Sequence, residues 1–253
     1  MARPAITYDS DRVDSDCAVV RYMNSNYYIF DPCWVIEPNG RMLIREVSVI
    51  RNPSLKRRNK MKKIPTLFTR VFEDHKIVDI LPEITPGCEK AFTDGKATIK
   101  YDGSCCAVID GDFYKRYDAK KGKTPTAGAI PCDNPDPVTG HWPHWVKVDE
   151  NNPNDKWYLK AAKNYAFDLG RSDIEPGTYE AVGLHFNGNP YGLDNDILMR
   201  HGDCEVDVQR DFESIKLWLN NHKQEGLVFW LDGEPVCKIK RTDFGFEWPV
   251  KGE

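Results

Sequence analysis

Three short runs in this chain carry side chains able to handle a nucleotide together. Lys100 lies in Thr98-Ile99-Lys100-Tyr101-Asp102-Gly103, Glu225 opens Glu225-Gly226-Leu227-Val228-Phe229, and two more lysines close Lys238-Ile239-Lys240. A lysine amine can attack the α-phosphorus of ATP once it loses its proton and its charge is suppressed by burial or by neighbouring cations. Gly103 lets backbone approach a nucleotide closely, and Asp102 can bond locally to hold the turn. Lys238 and Lys240 are two apart on an expected strand, so both ammonium groups face the same way and can meet phosphates together. Glu225 is a hard oxygen ligand suited to a divalent cation carried by a triphosphate.

Singly, each run has a plainer reading. Lys-x-Asp-Gly is a common surface turn, Glu-Gly before a strand is commonplace, and Lys-x-Lys on a strand is the pattern of a solvated face. Their order carries the weight. Lys-x-Asp-Gly, a strand-borne glutamate, Glu-Gly and then Lys-x-Lys is the motif order of the covalent nucleotidyltransferases, which include DNA ligases, RNA ligases and capping enzymes. The middle member is present as Tyr179-Glu180-Ala181-Val182-Gly183. Four stretches narrow the likeness: Thr98 to Ala107, Thr139 to Val148, Asn187 to Leu193, and Val236 to Pro249. Together they resemble the ATP-dependent 5′-to-3′ RNA ligase family of the vertebrate RNA ligase 1 kind, over residues 61 to 253.

The resemblance implies roles at matching positions. Lys100 is similar to the adenylylated lysine, with Thr98, Ile99, Asp102 and Gly103 around the nucleotide. Arg116 is similar to a nucleotide-contacting arginine, Glu180 to the carboxylate that accepts from the ribose hydroxyls, Glu225 to the metal-site carboxylate, and Lys238 with Lys240 to the phosphate-binding pair. One departure stands out: many polynucleotide ligases have an arginine two residues after the motif glycine, where this chain has Cys105. The arginine role then falls to Arg116. The implied cofactors are ATP and Mg2+ or Mn2+, and the implied partner is RNA with 5′-phosphate and 3′-hydroxyl ends. The expected reaction has three displacements at phosphorus: Lys100 takes AMP, AMP passes to a 5′-phosphate, and a 3′-hydroxyl displaces it. Tyr191, Phe186 and Trp157 are candidates to stack on adenine. A DNA ligase or capping-type enzyme, and a nucleotide- or RNA-binding protein without ligation, are the alternatives.

Around these motifs, the elements expected to position them are mostly strands: Ala97 to Tyr101, Cys105 to Ile109, Phe113 to Tyr117, Thr178 to Leu184, Leu227 to Leu231 and Val236 to Arg241. Asp110-Gly111 and Asp232-Gly233 read as tight hairpin turns. Asp211 to Asn221 reads as a helix, with Phe212, Ile215, Trp218 and Leu219 on one face. Lys120 to Asn154, rich in Pro, Gly and Asp, reads as a long loop. The fold class expected is α+β: an antiparallel-sheet nucleotidyltransferase domain over residues 61–253. Only Thr242 to Glu253 follow the Lys-x-Lys strand, so no OB-fold domain is expected there. Residues 1–60 read as a small β-rich extension with a hairpin turn at Pro38-Asn39-Gly40, joined through the basic segment Ser54 to Lys63. That segment is a solvated linker or, through Arg57, Arg58, Lys60, Lys62 and Lys63, a phosphate-contacting tether.

Composition adds bounds. At 253 residues with net charge −4, the chain can bury a full core, and any nucleic-acid site must be a local basic field. No apolar run reaches membrane-spanning length and the first residues are too polar for a secretory signal, so a cytoplasmic protein is expected, in a host cell if viral, and a monomer. Eight cysteines without a C-x-x-C pair read as buried thiols, neither a zinc site nor a disulfide set. His141 and His144 bracket a Trp-Pro turn and read as structural, lacking a second ligand pair.

Overall fold

A computed structural model describes residues 61–250 except 75 and, before them, the backbone of five strands. The chain divides into two compact units, Met1–Pro53 and Ser54–Glu253. In the first, β1 (Val19–Met23), β2 (Asn26–Phe30) and β5 (Val47–Ile50) form an antiparallel sheet in that order, while β3 (Trp34–Ile36) pairs with β4 (Met42–Ile44). The hairpin turn read at Pro38-Asn39-Gly40 lies outside the described residues, as do Arg57, Arg58 and Lys60.

The second unit opens with a two-stranded ribbon, β6 (Phe68–Glu73) and β7 (Lys76–Ile84), followed by the short helix α1 (Glu89–Asp94). Next come β8 (Lys96–Lys100), β9 (Ser104–Ile109), β10 (Asp112–Ala119), β11 (Ile130–Pro131) and β12 (Trp142–Lys147), then α2 (Lys156–Asp168). β13 (Gly177–Val182), β14 (Ile197–Arg200), β15 (Glu205–Val206), α3 (Phe212–Asn221), β16 (Gly226–Leu231) and β17 (Glu234–Lys240) complete it. Two antiparallel sheets result: a six-stranded one, β11-β12-β10-β9-β13-β14, and a four-stranded one, β15-β8-β16-β17. A strand-rich, mixed architecture of antiparallel sheets with outer helices agrees with the α+β expectation.

Both expected hairpins form, for the reason their sequence gives. Asp110 and Gly111 take φ of 51° and 85°, and Asp232 and Gly233 take 52° and 79°. Two successive left-handed residues match the twist of the strands they join. Burial then follows the alternation of side chains along each strand. On β9, Cys106 and Val108 pack under α2 with Tyr179, Ala181 and Leu198, whereas Ala107 and Ile109 pack on the other face with Tyr114 and Trp145. The small sheet buries Ala97, Leu227, Phe229, Cys237 and Ile239 against Phe92 of α1 and Ile215 and Leu219 of α3. Its opposite face carries the lysines.

Two expectations are corrected. Lys120 to Asn154 is not one long loop, because β12 within it pairs with β10 over six residues, from Tyr114 opposite Lys147 to Ala119 opposite Trp142. Pro143 removes one ladder donor from this strand, yet burial of His144 and Trp145 holds the segment on the sheet. The strand expected to run to Leu184 stops at Val182, where Gly183 turns to φ 128° against the Asn195 carbonyl. His144 is buried with its Nδ1 2.8 Å from the Trp142 carbonyl, in line with a structural role. Four of the six described cysteines, Cys88, Cys106, Cys132 and Cys237, are buried free thiols, while Cys105 and Cys204 are half-buried; Cys17 and Cys33 lie outside the described residues.

The end of β17 is anchored to α3 by a buried arginine. Asp211 caps the helix start, accepting from the Ser214 N–H at 2.8 Å. At the other end the Arg241 guanidinium donates to the carbonyls of Leu219 and, at 2.9 Å, His222, groups a helix terminus leaves without partners. Arg241 directly follows Lys240, so it fixes where the lysine strand ends. Arg241→Met is expected to leave those carbonyls unsatisfied and lower stability by about 2–4 kcal/mol. Thermal unfolding checks this, and an unchanged melting temperature contradicts the anchoring role.

Candidate active site

The site is built on strand register. Lys100 ends β8, Gly226 begins β16 and Lys240 ends β17, and pairing sets Gly226 opposite both Lys100 and Lys240. One row in, Val228 lies between Thr98 and Lys238. The side-chain period of two therefore puts Thr98, Lys100, Lys238 and Lys240 on one face, opposite the core. A Cβ on Gly226 would sit on the Ile239 carbonyl, so only glycine permits this approach of β16 to β17.

Glu225, 5% exposed, enters this row from the residue before β16. One carboxylate oxygen pairs with Lys100 Nζ and the other with Lys240 Nζ, the latter at 2.9 Å. Among the described residues Lys238 has no such pairing. Burial, together with the Lys100 and Lys240 ammonium groups, pulls it from its ordinary 10.5 to about 8, against the opposing pull of Glu225. The carboxylate thus offsets two of three clustered cations and leaves the third short of compensation.

Immediately after Lys100 the chain crosses from the small sheet to the large one through Tyr101-Asp102-Gly103, and β9 begins at Ser104. Four hydrogen bonds hold this crossing. The Asp102 N–H donates to the Tyr191 hydroxyl at 2.6 Å, and Trp248 Nε1 donates to Asp102 Oδ2 at 2.7 Å. Asn187 Nδ2 donates to Asp102 Oδ1 at 2.8 Å and to the Gly103 carbonyl at 2.7 Å. Asn187 itself has φ 46°, a left-handed conformation that asparagine tolerates better than most residues. A Cβ on Gly103 would meet the Ala181 carbonyl, so glycine is required where the crossing passes β13.

On the large sheet, Glu180 of β13 lies opposite Cys105 of β9. The β9–β10 register, carried one pair beyond Lys115 and Cys106, brings Arg116 beside Cys105 on its other side. The three form a row, and the Cys105 thiol, pushed up chiefly by burial, feels both Glu180 and Arg116. Glu180 Oε2 is 3.0 Å from His201 Nε2, whose Nδ1 is 3.0 Å from the Thr178 hydroxyl. Arg116 forms a two-pronged ion pair with Asp118 at 2.9 and 3.2 Å. Tyr191 links the two faces: burial raises its hydroxyl pKa, and the charges of Glu225, Asp102 and Glu180 all add to that rise.

The expected residues therefore fall into two groups joined by a crossing. Lys100, Glu225, Lys238 and Lys240 converge on the small sheet; Glu180 and Arg116 share a row on the large sheet; Asp102 and Gly103 are the crossing. Thr98 is buried and its hydroxyl accepts from Trp230 Nε1 at 2.9 Å. Ile99 packs against the core, and its N–H donates to the Cys204 carbonyl. Of the stacking candidates, Phe186 is buried in the core and Trp157 lies flat on His185. Tyr191 remains at the crossing, edge-on to Tyr101. Among the described residues no three His, Cys, Asp or Glu converge as metal ligands. A single carboxylate fits magnesium, which takes most of its ligands from water and phosphates. Trp248, Asn187 and His201 were not singled out in the sequence for these contacts; the first two sit within motif-bearing stretches and His201 outside them, and none has a diagnostic spacing.

No protein-family model matches the chain. Among curated proteins it is similar to RNA ligase 1 of Danio rerio, at 29% identity over 44% of this chain and 43% of that one. RNA ligase 1 of Pongo abelii is 29% identical over 52% and 48%, and that of Rattus norvegicus 25% over 52% and 48%. The chain spans about half the length of the curated relatives it matches, and the relationship is distant.

The charge balance at Lys238 has a measurable sign. Its folded-state pKa lies below the unfolded one, so between pH 8 and 10.5 the unfolded chain binds more protons and stability rises with pH. Below pH 8 the full cost is present. Lys238→Met is therefore expected to stabilise the protein at pH 7 by on the order of 1–3 kcal/mol, an advantage that fades toward pH 10.5. Denaturant unfolding at several pH values checks this; a methionine variant less stable at pH 7, or a difference that ignores pH, contradicts it.

Proposed function

We propose that this chain is an ATP-dependent RNA ligase that joins 5′-phosphate and 3′-hydroxyl ends through a lysyl-AMP and an adenylylated RNA. The observation that carries the reading is the convergence of Lys100, Lys238 and Lys240 about the Glu225 carboxylate, at the point where the chain passes between two sheets. The similarity to RNA ligases supports it.

Lys100 is the nucleophile. Its Nζ forms a bond to the α-phosphorus as the bond to the pyrophosphate oxygen breaks, and Glu225, already in contact with that amine, accepts the proton. Lys238 and Lys240 hold the polyphosphate oxygens. An anion arriving there supplies the countercharge that Lys238 lacks, so binding restores Lys238 toward its ordinary pKa. Positioning and charge neutralisation are the protein's main contributions, since each displacement at phosphorus needs alignment more than covalent help. In the second step the N–P bond breaks as an oxygen of the RNA 5′-phosphate takes the AMP. In the third, the 3′-hydroxyl bonds to that 5′-phosphorus and AMP leaves with the oxygen.

Around the nucleotide, Glu180 and Arg116 serve the ribose and the phosphate side. His201 orients the Glu180 carboxylate, and Arg116 exchanges Asp118 for the ligand. Glu225 would be the protein ligand of a magnesium or manganese ion carried in with the triphosphate, and that ion would supply neutralisation of phosphate charge. Residues 61–253 are read as the catalytic domain and residues 1–60 as an accessory unit.

A sealing assay tests the proposal. Single-stranded RNA with a 5′-phosphate and a 3′-hydroxyl should be joined when ATP and magnesium are present. Dephosphorylated RNA should not be joined, and Lys100→Ala should abolish sealing while circular dichroism stays unchanged. Removal of one charge-stabilising amine, as in Lys240→Ala, should slow the reaction by about 2–4 kcal/mol of barrier. Sealing by Lys100→Ala, or no sealing by the intact protein under any nucleotide, overturns it.

A further inference from the structure

Helix α2 carries a charge pattern that its own stability does not explain. Lys156, Lys160 and Lys163 recur at i, i+4 and i+7, sharing one face over roughly 10 Å of helix. Lys63, Lys100, Lys115, Lys147 and Lys240 each pair with a carboxylate. None of the three α2 lysines has one within ion-pair distance among the described residues. Like charges at this spacing destabilise a helix by about 0.2–0.5 kcal/mol per pair. On a chain of net charge −4 the row is a local positive field, and an anionic partner is what it suits.

Aromatic rings flank the row. Trp157 lies flat on His185, with ring centroids 3.3 Å apart and planes 9° from parallel. Lys156 Nζ lies 4.4 Å and Lys160 Nζ 5.7 Å from the Trp157 centroid, so the indole positions both ammonium groups. The fully buried Asp196 carboxylate sits 2.8 Å from His185 Nδ1, so the imidazole, and the indole stacked on it, have a fixed orientation. At the other end of the row Phe167, four residues beyond Lys163, is 82% exposed. Such a ring offers a face for a base in a sequence-tolerant contact.

The row lies on the outer face of α2, while the opposite face of the helix packs against β9 and β13 beside the lysine site. Tyr158, next to Trp157, shares a hydrogen bond with Ser104, four residues after Lys100. Asn187, two residues after His185, is the side chain that grips Asp102 and Gly103. We infer that Lys156, Lys160 and Lys163 bind the phosphodiester backbone of the single-stranded RNA whose end is brought to Lys100, with Phe167 stacking on a base. This inference rests on the RNA ligase reading for the identity of the strand. Its charge geometry is independent of that reading.

The test uses the full chain and a fluorescein-labelled single-stranded RNA with a 5′-phosphate, followed by anisotropy across a salt series. Replacing Lys156, Lys160 and Lys163 together by glutamine should weaken RNA binding at least about tenfold at low salt and flatten the log–log salt slope by about 2, since each phosphate contact to a single strand contributes roughly 0.7. Arginine at the same three positions should keep the affinity. Lysyl-AMP formation from ATP alone should be unchanged in both variants. Unaltered affinity and slope in the glutamine variant overturn the inference, as does loss of poly-glutamate binding with RNA binding retained, which would assign the row to an acidic protein surface. If the wild type forms no lysyl-AMP, the ligase reading fails; the anisotropy arms still decide whether the row binds RNA.

Discussion

The constraint on which the site depends is a register: Lys100, Gly226 and Lys240 stand side by side on three adjacent strands. Because the middle member has no side chain, the two outer lysines meet over it, and the Glu225 carboxylate at the strand entrance reaches both. A slip of one residue in either pairing would turn the lysines into the core. The surrounding devices all protect that register. The Asp232-Gly233 turn sets β16 against β17, the Arg241 anchor fixes where β17 ends, and the Thr66–Lys238 parallel bridge holds its outer side. Asp243 adds to this: it ties Arg70 of β6 at 2.5 Å and takes the Lys240 N–H at 2.8 Å. The result is three cations held close with one carboxylate, an arrangement that disfavours the charged state of Lys238 until an anion arrives.

The second element of the design is the crossing at Asp102 and Gly103. It carries the lysine from one sheet to the Glu180 row of the other, and its shape comes from remote parts of the chain. Asn187 and Tyr191 belong to the loop after β13, and Trp248 lies beyond β17. The left-handed φ of Asn187 is sustained by its two side-chain hydrogen bonds, so strain in one loop is offset by contacts to another. Lys100 is thus positioned by contacts from two distant segments as well as by its own strand.

What the sequence made legible was local. The two Asp-Gly hairpins and α3 follow from turn chemistry, an aspartate cap and helical spacing, and the strands bearing Lys100, Glu180 and Lys238 lie where alternation placed them. Helix α2 was hidden because Trp157, Tyr158 and Tyr165 suit strands as well as helices, and Asp155 at its start makes no capping bond, its carboxylate being committed to Lys115 and the Asp149 N–H. β12 was masked by Pro143. The candidate residues were readable as types in an order, but their partners were not. Trp248, His201 and Asn187 act through contacts spanning 21 to 146 positions, and nothing in local composition marks them.

The central claim is that the Lys100 amine takes AMP from ATP. Intact mass measurement and peptide mapping after incubation with ATP and magnesium test it most directly, with a chase by 5′-phosphorylated RNA. The account predicts a mass increase of one AMP, placed on the peptide containing Lys100, that disappears on the chase as adenylylated or sealed RNA forms. An adduct on another lysine, or none while the protein remains folded, would contradict it.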